Sequence, residues 1–251
     1  MRNKSLIIKI FIIATVIIAV GYLLAAFVFF SGNKNTEVCK LVNVRILDDD
    51  NVKILDKNTV SNFIFKSKYN PVDKQIANLQ TEKLENELLE KIPTIKSVEC
   101  YITQSNTMNV DIHQRVPKFR VMTAAENYYV DSEGKIFPVS TNFSAYVPVV
   151  SGVVTKTFAT KKLPPLIDFI EKSTFWNAQI EQIYVVDNKE IELVPRIGSE
   201  IIFFGDLTDI EKKFEKLQTL YTEGFSQIGW NRYKSIDLRF EDQVVCTKID
   251  E

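Results

Sequence analysis

The sequence predicts an α+β protein: an N-terminal transmembrane helix, a small β-α-α-β-β domain, and a larger mixed domain built on an antiparallel sheet with flanking helices. Three observations carry this. Residues 10–30 are almost pure Ile, Val, Leu, Ala and Phe. Beyond them, short runs alternate apolar and polar residues, the period-2 spacing of half-buried strands. Between these runs lie segments with apolar residues three and four apart, the spacing of one helical face.

In the apolar run only Thr15, Gly21 and Tyr22 interrupt, and no charge follows Lys9. Crossing a bilayer core takes about 20 such residues. Arg2, Lys4 and Lys9 precede the run, so the basic bias predicts residues 1–9 in the cytoplasm and everything after Ser31 across the membrane. A cleaved signal needs a shorter core and small residues at its end. Phe27-Val28-Phe29-Phe30 is bulky there, which favours an uncleaved anchor.

A polar segment, Gly32 to Glu37, leads to Leu41–Ile46, where Val42, Val44 and Ile46 alternate as in a strand. Asp48-Asp49-Asp50-Asn51 breaks it. A helix is expected around Lys57–Phe65, with Val60, Phe63 and Ile64 on one stripe. A second is expected at Glu82–Lys91, with Thr81 as N-cap and Pro93 as its stop. Val98, Cys100 and Ile102, then Met108, Val110 and Ile112, predict two strands joined by a turn at Gln104-Ser105-Asn106. Arg115-Val116-Pro117 marks a break.

The second domain opens at Phe119-Arg120-Val121-Met122. Tyr128–Asp131, a turn at Ser132-Glu133-Gly134 and Lys135-Ile136-Phe137 read as strand, turn, strand. Pro164-Pro165 opens a helix carrying Leu166, Ile167, Phe169 and Ile170. Strands follow at Ile180–Val186, Ile191–Val194 and Glu200–Phe204. Next comes an amphipathic helix over about 208–222, with Ile210, Phe214, Leu217 and Leu220 inward and Lys212, Lys213 and Lys216 on a solvated outer face. Two last strands, Ser235–Phe240 and Gln243–Lys248, are linked at Glu241-Asp242.

Composition excludes several functions. With 31 basic and 32 acidic residues the chain has no positive excess to neutralise phosphates, which argues against nucleic acid. A single histidine, His113, leaves a histidine-based triad without a partner. No zinc spacing, P-loop or dinucleotide glycine pattern is present. The glycines of Gly224–Gly229 stand one position too far apart for a nucleophile elbow. The Asp48–Asp50 run lacks calcium-loop spacing and reads as an acidic loop. Asn142-Phe143-Ser144 fits a glycosylation acceptor, a triplet that also arises by chance. The sequence therefore predicts no enzyme, no catalytic residue, no cofactor, no metal and no small-molecule substrate. Cys39, Cys100 and Cys246 are an odd number; Cys39 and Cys100 could pair or stay as small buried hydrophobes.

Several motifs, in order, resemble FtsQ/DivIB, the bitopic bacterial cell-division proteins. They are the basic start and anchor, the β-α-α-β-β unit resembling a POTRA domain, and Gln114-Arg115-Val116-Pro117, similar to a Glu-Arg-x-Pro exit. Tyr128–Asp131 with Gly134, Pro148–Gly152 and Ile236–Phe240 resemble three further landmarks. Gly229-Trp230-Asn231-Arg232-Tyr233 looks like the Bacteroidetes branch. The resemblance implies domains at 1–9 (cytoplasmic), 10–30 (anchor), 31–40 (linker), 41–116 (POTRA-like) and 117–251 (β-domain). It implies a bacterial inner-membrane scaffold, periplasmic in bulk and concentrated at the division septum. It would recruit FtsB- and FtsL-like coiled-coil partners and link them to peptidoglycan synthesis, with FtsW- and FtsI-like synthases as further partners. The resemblance also implies that Phe240 falls at the family's aromatic position beside the FtsB contact.

Independently, a last strand near a chain end is often a sheet edge able to accept a partner strand. Gln243, Val244, Val245, Cys246, Thr247 and Lys248 have strong β propensity and one charge, so with Phe240 they form the expected partner-binding set. Val245→Pro is the expected way to remove an edge amide. Arg115 and Pro117 are expected to brace the domain junction, and Trp176 and Trp230 to be core or loop anchors. Two rivals are a POTRA-containing factor in outer-membrane protein assembly or secretion and a membrane-tethered cell-wall hydrolase.

Overall fold

The computed structural model describes residues 2–31, 37–48, 53–140, 143–187, 190–229 and 232–249. Residues 32–36, the acidic run at 49–51, the acceptor Asn142, and Trp230 and Asn231 lie outside these. In the first helix, α1 (Arg2–Ser31), the side chains described are those of 13–28, apolar and exposed on nearly every face. Among the described residues no helix is long and apolar enough to cross a membrane.

The chain divides into two compact units. The smaller contains β1 (Leu41–Ile46), α2 (Lys57–Lys66), a 3-10 turn at Ile76–Asn78, α3 (Thr81–Lys91) and most of β2 (Ile95–Ile102) and β3 (Thr107–Gln114). The sheet order is β1-β3-β2, with β1 parallel to β3. Its inward positions, Val44, Cys100, Met108, Val110 and Ile112, are buried, as are Val60 and Ile64 of α2 and Leu84 and Leu88 of α3. Asp56 caps α2 by accepting the Thr59 N–H at 2.9 Å. Thr81, expected as a cap, is instead the first residue of α3.

On the opposite sheet face one polar row crosses the three strands. Arg45 donates to both oxygens of Asp111 at 2.7 and 2.5 Å and to the Tyr101 hydroxyl at 2.6 Å. Cys39 and Cys100 are both buried and free, so no disulfide joins them. Burial, with Glu85 and Asp111 adding to it, pushes the Cys100 thiol up to about 12, so it is an inert core residue.

The larger unit comprises 48–55, 92–96 and 113–251. Its strands are β4 (Pro117–Met122), β5 (Asn127–Asp131), β6 (Ile136–Pro138), β7 (Val149–Gly152), β8 (Ile180–Val185), β9 (Ile191–Pro195), β10 (Ile201–Gly205), β11 (Tyr233–Asp237) and β12 (Val245–Lys248). Its helices are α4 (Pro164–Lys172), α5 (Thr174–Gln179), α6 (Ile210–Thr219) and the short α7 (Phe225–Ile228). Single π-helical turns at Phe158–Lys162 and Leu220–Gly224 precede α4 and α7.

The nine strands form one sheet, ordered β12-β11-β10-β9-β8-β7-β4-β5-β6. It is mixed, which corrects the expected antiparallel sheet: β10/β11, β4/β7 and β7/β8 are parallel. Parallel neighbours need a crossover. Here α4 and α5 lie between β7 and β8, and α6 between β10 and β11. Those helices are apolar on one stripe, so each crossover also covers the sheet. Phe119, Val121, Val130, Val150, Ile183, Val185, Leu193, Ile202, Phe204 and Ile236 are buried in one core with Leu166, Ile167, Ile170, Phe214 and Leu217 from the helices. Phe169 stacks on Phe214 at 4.8 Å, and Trp176 lies 4.9 Å from Phe214 and 5.8 Å from Tyr221. Trp176 is thus a core anchor, as expected.

Candidate functional site

The last strand, β12, ends the nine-stranded sheet and pairs only with β11, antiparallel. Along a strand the N–H and C=O of successive residues point to opposite sides. The Ile249 N–H donates to the Arg232 carbonyl at 3.0 Å, across the ladder. Alternation then turns the amides of Val245 and Thr247 toward β11 as well, and those of Cys246 and Lys248 outward. On the other side of β11, the Leu238 N–H donates to the Phe203 carbonyl at 3.0 Å, which fits the same alternation. The expectation for Val245 is therefore corrected: its amide belongs to the native ladder.

The side chains divide in the complementary way. Val244 and Cys246 pack partly against the main core, while Val245, Thr247 and Lys248 are exposed. Burial raises the Cys246 thiol above its ordinary value, which suits packing rather than reactivity. The opposite edge, β6, is three residues long and ends in Pro138, so it offers little to pair with.

The expected strand limits also shift. β11 stops at Asp237, so Leu238, Arg239 and Phe240 lie in the 238–244 connection with Gln243 and Val244. Arg239 folds back onto Asp237, Nε to Oδ1 at 2.9 Å and Nη2 to Oδ2 at 2.7 Å, with its guanidinium 5.3 Å above the Phe203 ring. A local ion pair thus replaces ladder pairing, while Phe240 is left 46% exposed.

Beside the connection is a groove of about 550 Å³, walled by Leu238, Phe240, Gly205, Lys212, Lys216 and Glu241 among others. Its cations already have partners. Lys213 donates to the Asp206 carboxylate and carbonyl, both at 2.8 Å, and lies 4.9 Å from the Phe204 ring centre. Lys216 donates to the carbonyls of Leu238, Phe240 and Glu241. These contacts overturn the solvated reading for Lys213 and Lys216, while Lys212 is exposed as expected. Lys213 follows Ile210 by three residues and precedes Leu217 by four, so it lies on the buried stripe itself. That spacing was visible in the sequence.

Hydrogen bonds from Lys213 and then Thr208 hold the Asp206 carboxyl down to about 2. A depressed carboxyl contributes stability that is complete above its unfolded value of about 3.9 and is lost as pH falls through its folded value. Asp206→Asn should therefore lower the thermal midpoint at neutral pH and flatten its fall between about pH 4 and 2. A midpoint series over that range checks this; an unchanged acid slope would refute it.

Arg115 makes a dense set of contacts within the larger unit. Its Nη1 donates to Asp131 Oδ2 at 2.7 Å, its Nε to the Pro93 carbonyl at 3.1 Å, and its backbone N–H to the Thr94 carbonyl at 2.8 Å. Asp131, 6% exposed, also accepts the N–H groups of Glu133 and Lys135. Next to it Gln114, also buried, accepts the Leu55 N–H at 3.1 Å through its side-chain oxygen. Pro117 is the buried first residue of β4, where no preceding ladder needs its N–H. Arg115→Ala would strand the Asp131 carboxylate, at a cost of about 3 kcal/mol. Denaturant unfolding measures it; a loss below about 1 kcal/mol would mean the pair is incidental.

Two comparisons with known protein families bear on this unit and the one before it. The family model described as FtsQ/DivIB, C-terminal related, matches residues 116–247, more than half of the chain. The chain belongs to the FtsQ/DivIB family. A model for a POTRA-like domain matches residues 37–113, the region of the β-α-α-β-β unit. Both are families of non-catalytic scaffold domains, and membership connects the chain with cell division. No curated protein matches it. Among the described residues no group of three or more His, Cys, Asp or Glu side chains could hold a metal ion.

Proposed function

We propose that this FtsQ/DivIB-family chain is a single-pass, non-enzymatic divisome scaffold that captures a coiled-coil partner by strand addition at β12. The observation that carries the reading is the position of β12 at the sheet edge, with the Cys246 and Lys248 amides directed away from β11. A partner strand would pair with those groups, and Val245, Thr247 and the exposed ring of Phe240 would meet its side chains. Gln243 and Val244 set where the added ladder begins. The groove beside Phe240 supplies room for one anchoring side chain.

The expected partners are FtsB- and FtsL-like proteins, with FtsW- and FtsI-like synthases joined through them to septal peptidoglycan synthesis. Residues 10–30 would form the membrane anchor. α1 is 30 residues long, or about 45 Å at 1.5 Å per residue, enough for a bilayer core with flanks. Lys and Arg at residues 2–9 favour a cytoplasmic start and a periplasmic bulk. Anchoring in one membrane plane raises the local concentration of a membrane-bound partner. The Bacteroidetes placement rests on the aromatic stretch at 229–233 alone.

Depletion followed by microscopy tests the role. Filaments without septa are the expected result. Normal septation with defective outer-membrane assembly would overturn it in favour of a POTRA-containing assembly factor. Muralytic activity of the purified chain, lost on removing one carboxylate, would instead establish a hydrolase.

A further inference from the structure

We propose that Lys216 is the positioning residue of the edge strand: its ammonium latches the 238–244 connection and so presets β12 for its partner. The consequence for partner capture rests on the docking reading above; the latch itself does not.

Lys216 extends from the last turn of α6 to three backbone carbonyls of the 238–244 connection. Its Nζ lies 3.3 Å from Leu238 O, 2.5 Å from Phe240 O and 3.3 Å from Glu241 O. An ammonium has three donors, and this arrangement offers three acceptors from one four-residue stretch. Converging carbonyl dipoles repel unless a cation sits between them, so the lysine decides whether this turn keeps its shape. Burial lowers the proton affinity of Lys216, and Lys212 and Lys213 lower it further against the opposing pull of Asp242 and Asp237. The carbonyls are what make a charge tolerable there.

The two ends of the latch differ in firmness. α6 is fixed through Phe214 and Leu217, both buried in the main core. β12 has one ladder, four residues long, and of its side chains only Cys246 packs partly against the core, next to Val244 of the connection. Lys216 therefore transfers the rigidity of the helix to an edge strand held by a single ladder. Elements with few buried contacts open locally before the rest, and a strand that samples detached positions is poorly prepared to template another.

Amide hydrogen exchange on the full chain in detergent micelles tests the latch without a partner. Lys216→Met keeps the aliphatic stem and removes all three donors. Lys212→Met, on the same helix but only 3.9 Å from Glu241 in an exposed pair, is the control. Protection of the Val245, Thr247 and Ile249 amides should fall about tenfold or more in Lys216→Met, with β8 and β9 unchanged and the control like wild type. Unchanged protection, or an equal loss across the whole sheet, would overturn the proposal. Capture of a purified FtsB-like partner should fall with that protection. Lost protection with unaltered capture would keep the latch and refute β12 as the docking edge.

Discussion

Lys248→Pro is expected to reduce partner capture at least about tenfold while leaving the thermal midpoint nearly unchanged. Proline has no N–H, and its ring occupies the space an incoming strand needs. In a sheet it is tolerated where the lost N–H faced solvent, on an edge strand. The Lys248 amide meets that condition, because the alternation set by the Ile249 bond to Arg232 turns it away from β11. One lost hydrogen bond is worth about 1 kcal/mol, and the steric block adds to it; tenfold corresponds to about 1.4 kcal/mol. Lys248→Ala keeps the amide and should bind nearly as wild type, separating backbone from side chain. Val245→Pro removes an inward bond instead, so it should lower capture together with the protection of β12. Wild-type capture by Lys248→Pro would eliminate strand addition at this edge.

The largest loss of stability is expected from Gly152→Ala. Gly152 ends β7 at φ +89°, a region that L side chains rarely adopt. A Cβ placed there would lie 2.2 Å from the Val185 carbonyl oxygen and 3.0 Å from its carbon, both backbone atoms of the paired strand β8. That carbonyl also accepts the Val153 N–H at 2.8 Å, so moving it breaks a further bond. Backbone strain of about 1–3 kcal/mol adds to overpacking of similar size, about 2–6 kcal/mol together. In a domain of this size each kcal/mol lowers the thermal midpoint by about 2–4 °C, so a fall near 10 °C is expected. Gly152→Asn should fare no better, since its Cβ meets the same oxygen even though asparagine accepts positive φ more readily. Wild-type stability in either variant would contradict the packing described for β7 and β8.

Residues legible in the sequence were those whose role follows from their own neighbours in the chain. Val42, Val44 and Ile46 alternate and form a strand; Val60 and Ile64 lie four apart and are buried on one helical face. Pro164-Pro165 opens α4 as its missing N–H groups allow. What escaped were contacts between residues distant in sequence. Arg239 lies outside β11 with its guanidinium over the Phe203 ring, more than thirty residues away. Lys216 reads as solvated in the sequence because the carbonyls it binds lie more than twenty residues away.

Local periodicity thus determined which segments became strands and helices and where the chain breaks. It did so because side-chain direction repeats every 2 residues in strands and every 3.6 in helices, whatever the partners. Sheet order, the parallel pairs and the direction of each edge amide were decided only in the folded chain. Those depend on which helices must cross over to cover the sheet, and on a register set by hydrogen bonds between segments that no sequence spacing encodes.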